Sequence, residues 1–169
     1  QASSVVKVDE RGFEVLRSGV VSEQTIRRLS SFYVLFICTG NTCRSPMAEA
    51  ICRKVLAERL GCRIDELEER GVSVMSAGLS AYLGGRPATE AVEVMQSIGV
   101  DLSQHESQPL TAQLDRHADV IWTMTRSHRQ AILAQWPEAP SRCELLCLDL
   151  RGIPDPVGGP VQLDQQCAE

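Results

Sequence analysis

Val34-Leu35-Phe36-Ile37-Cys38-Thr39-Gly40-Asn41-Thr42-Cys43-Arg44-Ser45-Pro46-Met47-Ala48-Glu49-Ala50 is the stretch on which the reading of this chain turns. Four apolar residues lead into a cysteine, a short polar turn, an arginine and a helix-forming run. The order predicts strand, loop and helix, with the loop in the form Cys-x5-Arg from Cys38 to Arg44. A loop that delivers the chain into a helix N-terminus gathers backbone N–H groups and partial positive charge, which suits it to hold an oxyanion. A thiol in that field is poised to act as a nucleophile. A nucleophile facing an anion cradle implies phosphoryl transfer through cysteine.

Outward from this unit, strand and helix patterns alternate. Tyr33 to Ile37 is a continuous apolar run of the kind buried in a parallel sheet. The next helix carries Met47, Ala48, Ile51, Val55, Leu56 and Leu60 on one face and stops at Gly61. Val72-Ser73-Val74-Met75 reads as a second strand running into Ser76-Ala77-Gly78. Pro87 is expected to open a helix with apolar positions Ala88, Ala91, Val92, Met95 and Ile98, ending at Gly99. Thr111 reads as the cap of a short helix through Leu114. Asp119 to Met124 is predicted as a third strand, Ser127 to Gln135 as a helix, and Leu145 to Leu148 as part of a fourth strand. The expected fold class is α/β: a four-stranded parallel, doubly wound sheet with helices on both faces and its site at the strand C-termini. A helix beginning near Val161 would be short, so truncation at this end is expected, and the lack of an initiator Met suggests a fragment or processed chain.

Residues 1–31 differ in character. Val5 to Val8 and Phe13 to Arg17 flank the turn Asp9-Glu10-Arg11-Gly12 and predict a hairpin, followed by a short helix capped by Ser22. A lone hairpin is marginal in water, so this appendage is expected to belong to something larger.

The 169 residues, 43% hydrophobic and 23% charged, suit one globular domain with a short appendage. No apolar run reaches the roughly 18 residues that span a bilayer, so no membrane partner is expected. A net charge of −5 argues against a nucleic-acid groove. It leaves room for an anionic substrate held by a local loop. Seven cysteines at 38, 43, 52, 62, 143, 147 and 167 are odd in number and irregular in spacing, unlike a disulfide scaffold. With no Cys-x2-Cys pair and three scattered histidines, no metal and no cofactor are expected. Cys143 and Cys147 read as buried strand residues, and a reducing, cytoplasmic location fits. His105, His117 and His128 have no partner spacing and read as surface or loop residues, Trp122 as core, and Tyr82 as a candidate for the rim of the site.

Within the loop each residue type has a chemical use. Cys38 as thiolate can attack phosphorus, and Arg44 offers a planar fork that can bind two phosphoryl oxygens into the transition state. Gly40 and Asn41 tolerate left-handed backbone. Ser45 can share a hydrogen bond with the Cys38 sulfur, and Pro46 gives up an N–H that the first helical turn leaves unpaired. The thiolate cannot also protonate the leaving group, so an acid must come from elsewhere. Asp155, framed by Pro154 and Pro156, is the candidate. Cys43 on the same loop is either a redox partner for Cys38 or a small residue packed beneath the loop.

These features together, with Ser76-Ala77-Gly78, Asp119 and Asp155-Pro156 in order, resemble the low-molecular-weight protein-tyrosine-phosphatase family over residues 32–169. The resemblance implies a cysteine-dependent phosphatase acting on phosphorylated protein through a phosphocysteine. By position Cys38 would be nucleophile, Arg44 phosphate clamp and Asp155 general acid, with Thr39, Gly40, Asn41, Thr42, Cys43 and Ser45 forming the phosphate-binding loop. Two specificity positions depart from the tyrosine-specific pattern. Thr42 stands where those members carry a bulky aliphatic residue, and Val157 follows Asp-Pro where they carry an aromatic. Thr42 resembles the protein-arginine-phosphatase branch, so phosphoarginine is expected to be slightly preferred over phosphotyrosine. The rival enzyme of this fold, a thiol-dependent arsenate reductase, needs relay cysteines that Thr125 to Pro140 lacks. A non-catalytic phosphate-binding module would not need Arg44 and Asp155. Separately, Ser3 to Val8 with Val15-Leu16-Arg17-Ser18-Gly19-Val20-Val21 and Ile26 resembles the end of a threonylcarbamoyl-adenylate synthase domain. That resemblance implies a fusion parent with a link to tRNA modification.

Overall fold

The computed structural model of the chain describes residues 2–10, 12–147, 152–153 and 155–156. Strand β1 (Val5–Asp9) and strand β2 (Gly12–Arg17) pair antiparallel as a separate two-stranded sheet. Helix α1 (Glu23–Leu29) follows, and the Ser22 side chain accepts from Thr25 N–H as expected of its cap. The Arg27 guanidinium of α1 lies 5.3 Å from the Phe13 ring centre, which ties helix to hairpin.

The main sheet is built from β3 (Phe32–Cys38), β4 (Val72–Gly78), β5 (Val120–Thr123) and β6 (Cys143–Leu145). Its order is β4-β3-β5-β6, and all three pairings are parallel. β3 is therefore flanked on both sides, which is why its run is apolar on both faces. Leu35 and Ile37 face a cluster that takes Leu114 from helix α4 (Ala112–His117) and Ile132 from helix α5 (Arg126–Gln135). Val34 and Phe36 face the other way, against Ala48, Cys52 and Leu56 of helix α2 (Arg44–Leu60). Helices thus cover both faces, as the alternating pattern predicted. Helix α3 (Thr89–Ser97) packs on α2 rather than on the sheet, burying Met47 against Ala91, Val94 and Met95. Gly61 closes α2 in the left-handed conformation, with φ 62°.

Three boundaries depart from the sequence expectation. α3 does not start at Pro87: Ala88 is extended and its N–H donates to the Thr42 carbonyl, 2.8 Å away, so the helix begins two residues later, at Thr89. Ile98 is outside it and exposed. The fourth strand starts earlier than Leu145, because Ile121 N–H pairs with the Arg142 carbonyl at 2.6 Å and sets the ladder at Cys143. Cys147 lies beyond that strand and only half-buried, whereas Cys143 is in it and buried. Leu148 and the expected helix near Val161 fall outside the described residues. No helix among the described residues is long and apolar enough to cross a membrane.

Candidate active site

β3 ends at Cys38 and α2 begins at Arg44, so the intervening loop sits at the C-terminal edge of the sheet. Its carbonyls are engaged from outside. Cys38 O accepts from Leu79 N–H at 3.0 Å and Thr39 O from Ser80 N–H at 2.9 Å. Asn41 O accepts from His105 Nε2–H at 2.9 Å, Thr42 O from Ala88 N–H at 2.8 Å, and Cys43 O from Met47 N–H at 3.0 Å. With carbonyls turned outward, a tight loop turns its N–H groups inward. No side chain caps α2, whose first-turn N–H groups open towards the loop.

Asn41 holds the turn. It is fully buried at φ 54°, the left-handed region that asparagine tolerates. Its Nδ2 donates to Ser45 Oγ at 2.9 Å and Ser76 Oγ at 2.8 Å, and its Oδ1 accepts from Gln108 N–H at 2.9 Å. Its own N–H points at the Cys38 sulfur, 3.2 Å away, and Ser45 Oγ shares a second hydrogen bond with that sulfur at 3.0 Å. Behind it, Ser76 Oγ donates to Glu49 Oε2 at 2.6 Å. Gly78 lets the loop approach: a Cβ there would lie 2.5 Å from the Thr39 carbonyl oxygen.

Arg44 is buried and reaches across to the second loop. Nη1 donates to the Ile153 carbonyl at 3.1 Å, and Nη2 pairs with Asp155 Oδ2 at 2.6 Å. The Asp155 side chain is 49% exposed, so the pair stands at the mouth of the site. Gly152, at φ 81°, brings this segment against Met124 and Thr125, where Ile153 N–H bonds the Met124 carbonyl. Cys38, Thr39, Gly40, Thr42, Cys43, Arg44 and Asp155 line one cleft of about 200 Å³. Clefts of about 660 and 620 Å³ lie elsewhere among the described residues, but neither is lined by a cysteine, so size does not locate the chemistry.

The loop residues and Asp155 are thus brought together as the sequence suggested, while Val157 and Pro154 lie outside the described residues. Cys43 is buried, with its thiol 3.7 Å from Met47 Sδ. Tyr82 is 88% exposed on the segment beside the loop and does not line the cleft. Of the histidines read as surface or loop residues, His128 departs, being buried in α5 with Nε2 2.9 Å from Thr39 Oγ1, while His105 is on a loop, half-buried, and supports Asn41. Burial, then Arg44, push the His128 pKa down, and Asp155 partly opposes them. His117 is exposed as expected. Burial pushes the Cys143 thiol up to about 11 and also raises Cys52, marking both as structural thiols.

A sulfur at the end of a central strand, a loop of inward N–H groups and a buried guanidinium paired with a carboxylate belong to the class of cysteine-dependent phosphatases. Comparison with known proteins makes this specific. Residues 33–163 match the family described as low molecular weight phosphotyrosine protein phosphatase, and the chain belongs to that family. The chain is 36% identical to the protein-arginine-phosphatase of Bacillus subtilis (strain 168) over 137 residues, covering 79% of this chain and 85% of that one. It is 43% identical over 104 residues to the probable low molecular weight protein-tyrosine-phosphatase EpsP of Ralstonia solanacearum, covering 62% and 63%. Among solved structures, a cysteine-to-serine mutant of YwlE arginine phosphatase with a phosphorylated active-site serine superposes with a TM-score of 0.69 at 35% identity, covering 81% of this chain and 86% of that one.

Proposed function

We propose that this protein hydrolyses phosphorylated protein side chains through a phosphocysteine at Cys38, with a preference for phosphoarginine. The observation that carries the reading is the single cleft in which Cys38, the outward-tied loop and the Arg44–Asp155 pair converge. The Cys38 thiolate attacks phosphorus while Arg44 and the loop N–H groups hold the equatorial oxygens. Asp155 gives its proton to the departing guanidine nitrogen or phenol oxygen, and the S–P bond forms as the bond to that atom breaks. Asp155 then takes a proton from water, whose oxygen displaces sulfur and releases phosphate. Ser45, bonded to the sulfur, steadies it as nucleophile and as leaving group. The relative whose substituted serine carries phosphate supports a covalent route at this position.

The arginine preference rests on Thr42, a small polar side chain on the cleft wall. The relatives divide between arginine and tyrosine names, which makes the substrate a matter for assay. We expect Cys38→Ser to abolish turnover and Asp155→Ala to slow turnover far more than it weakens phosphate binding; full activity in Cys38→Ser overturns the mechanism. Phosphoarginine and phosphotyrosine peptides compared in wild type and Thr42→Ile decide the substrate. Preference for phosphotyrosine in wild type, unchanged by Thr42→Ile, overturns the arginine assignment. Cys43, on the same cleft, is assigned the role of reversible redox partner, read by mass spectrometry of the peroxide-treated protein. The odd number and irregular spacing of the cysteines support a reducing, cytoplasmic setting.

Residues 1–31 are assigned to the end of a threonylcarbamoyl-adenylate synthase-like domain, and 32–169 to the phosphatase domain. The two-stranded sheet β1–β2 stands apart from the main sheet and leaves Val8 and Leu16 exposed, as a fragment of a larger sheet would. Turnover that persists after removal of residues 2–21 supports the division, and its loss overturns it.

A further inference from the structure

α5 starts where β5 ends, and its first turn touches both loops of the site. Met124 and Thr125 receive Gly152 and Ile153 of the acid-bearing segment. Thr125 caps the helix by accepting from His128 N–H. From that same turn the His128 ring reaches the other loop, where Nε2 shares a 2.9 Å hydrogen bond with Thr39 Oγ1. The ring is 6% exposed, and its Nδ1 has no hydrogen-bond partner among the described residues. A buried ring nitrogen without a partner is unfavourable. An apolar side chain of similar size would fill the space without that penalty, so packing alone does not account for an imidazole here. What the imidazole adds is the bond to Thr39, the first loop residue after the sulfur.

We propose that His128 is a positioning residue of the phosphate-binding loop: it holds Thr39 from the helical turn that also seats the Asp155 segment, and so keeps loop and acid in mutual register. This rests on the reading of the Cys38 loop as a phosphate site. Thr39 is pinned at two points, its carbonyl by Ser80 and its hydroxyl by His128. That leaves its peptide little freedom to swing an N–H away from a bound oxyanion. The charged groups acting on the ring are Arg44, from the start of α2, and Asp155, from the acid segment. Burial and Arg44 both favour the uncharged ring, so His128 holds the loop without adding a cation beside the guanidinium.

The test uses inorganic phosphate as competitive inhibitor and phenyl phosphate as substrate, with His128→Ala, His128→Gln, Thr39→Val and the double variant His128→Ala/Thr39→Val. Loss of one oriented hydrogen bond is expected to raise the phosphate inhibition constant about tenfold in His128→Ala and in Thr39→Val. The double variant should be no worse than either single one, because both remove the same bond. His128→Gln, whose amide can occupy the place of Nε2, should recover most of the affinity, and it keeps the question decidable if His128→Ala does not fold. A lower melting temperature with unchanged phosphate affinity means a packing role and overturns the assignment, as do additive effects in the double variant. Wild-type protein that binds no phosphate overturns the phosphatase reading along with it. Normal wild-type binding that His128→Ala and His128→Gln retain overturns the positioning role alone.

Discussion

Asn41 does by side chain what glycine does by lacking one. Its left-handed backbone is held because the amide is bonded at both ends, to Ser45 and Ser76 on one side and to Gln108 N–H on the other. Asn41→Ala would keep the strained backbone and leave buried polar partners unsatisfied, at a cost of roughly 3 kcal/mol. Asn41→Gly would remove the strain and keep the losses, recovering about 1 kcal/mol of that. Urea denaturation of both variants separates the two parts, and equal losses would mean that the backbone stores no strain. The asparagine was legible from the sequence as a turn residue. Its partners were not, since Ser76 and Gln108 lie far along the chain and meet it only through the sheet. His128 was illegible for the same reason: its spacing signals nothing until β5 and α5 place it beneath Thr39.

At the level of elements, the strand–loop–helix unit could be read because its signals are local: a two-face apolar strand and a left-handed Gly61 cap. The single apolar face expected of α2 does not hold: Met47 and Ile51 pack towards α3, Ala48 and Leu56 towards the sheet, and Val55 and Leu60 are exposed, because the helix is covered from two sides. The α3 boundary could not, because what sets it is the bond from Ala88 to Thr42, more than forty residues back. That bond belongs to a wider arrangement in which the segment after β4 clamps the loop between Cys38 and Arg44 through Leu79, Ser80 and Ala88. Gly78 is where β4 and the loop meet most closely. In Gly78→Ala the new Cβ would sit 2.5 Å from Thr39 O and 3.0 Å from Asn41 N, so the loop must move. A shift of that order costs ten- to about a hundredfold in turnover. We expect kcat/KM to fall by at least about tenfold while far-ultraviolet circular dichroism stays that of the wild type; unchanged kinetics would mean that the loop is less tightly seated than its hydrogen bonds imply.

For the molecule as a whole, the buried imidazole makes stability depend on pH. Folding lowers the His128 pKa, so the unfolded chain binds the proton more readily. Stability contributed by the neutral ring is therefore present above the unfolded value of about 6.5 and declines as pH falls below it, until the folded value is passed. Asp65 and Asp101 have carboxyl pKa values that are lowered instead, so their contributions are lost in a more acidic window, below about 4. Melting temperature measured from pH 7.5 to 5 should fall less in His128→Gln than in wild type. Parallel slopes would place the titrating group elsewhere. The parallel sense of the main sheet could be read from the alternation of strand and helix along the chain; its order, β4-β3-β5-β6, could not, because crossovers to either side of β3 leave the same local pattern. The separate hairpin sheet and the α1–Phe13 contact did not bear on that order, and removing the hairpin should leave it intact.

The ion pair at the mouth of the site has a kinetic meaning. Arg44 grips a carboxylate of its own chain. On the proposed mechanism Asp155 is then a tethered competitor, acting at an effective concentration on the order of millimolar. A ligand must outbid it for the guanidinium, which a doubly charged phosphoryl group using both arms of the fork can do and a singly charged carboxylate cannot. On the same mechanism, departure of inorganic phosphate would return Arg44 to Asp155. Product rebinding would then be opposed by the residue proposed to protonate the leaving group.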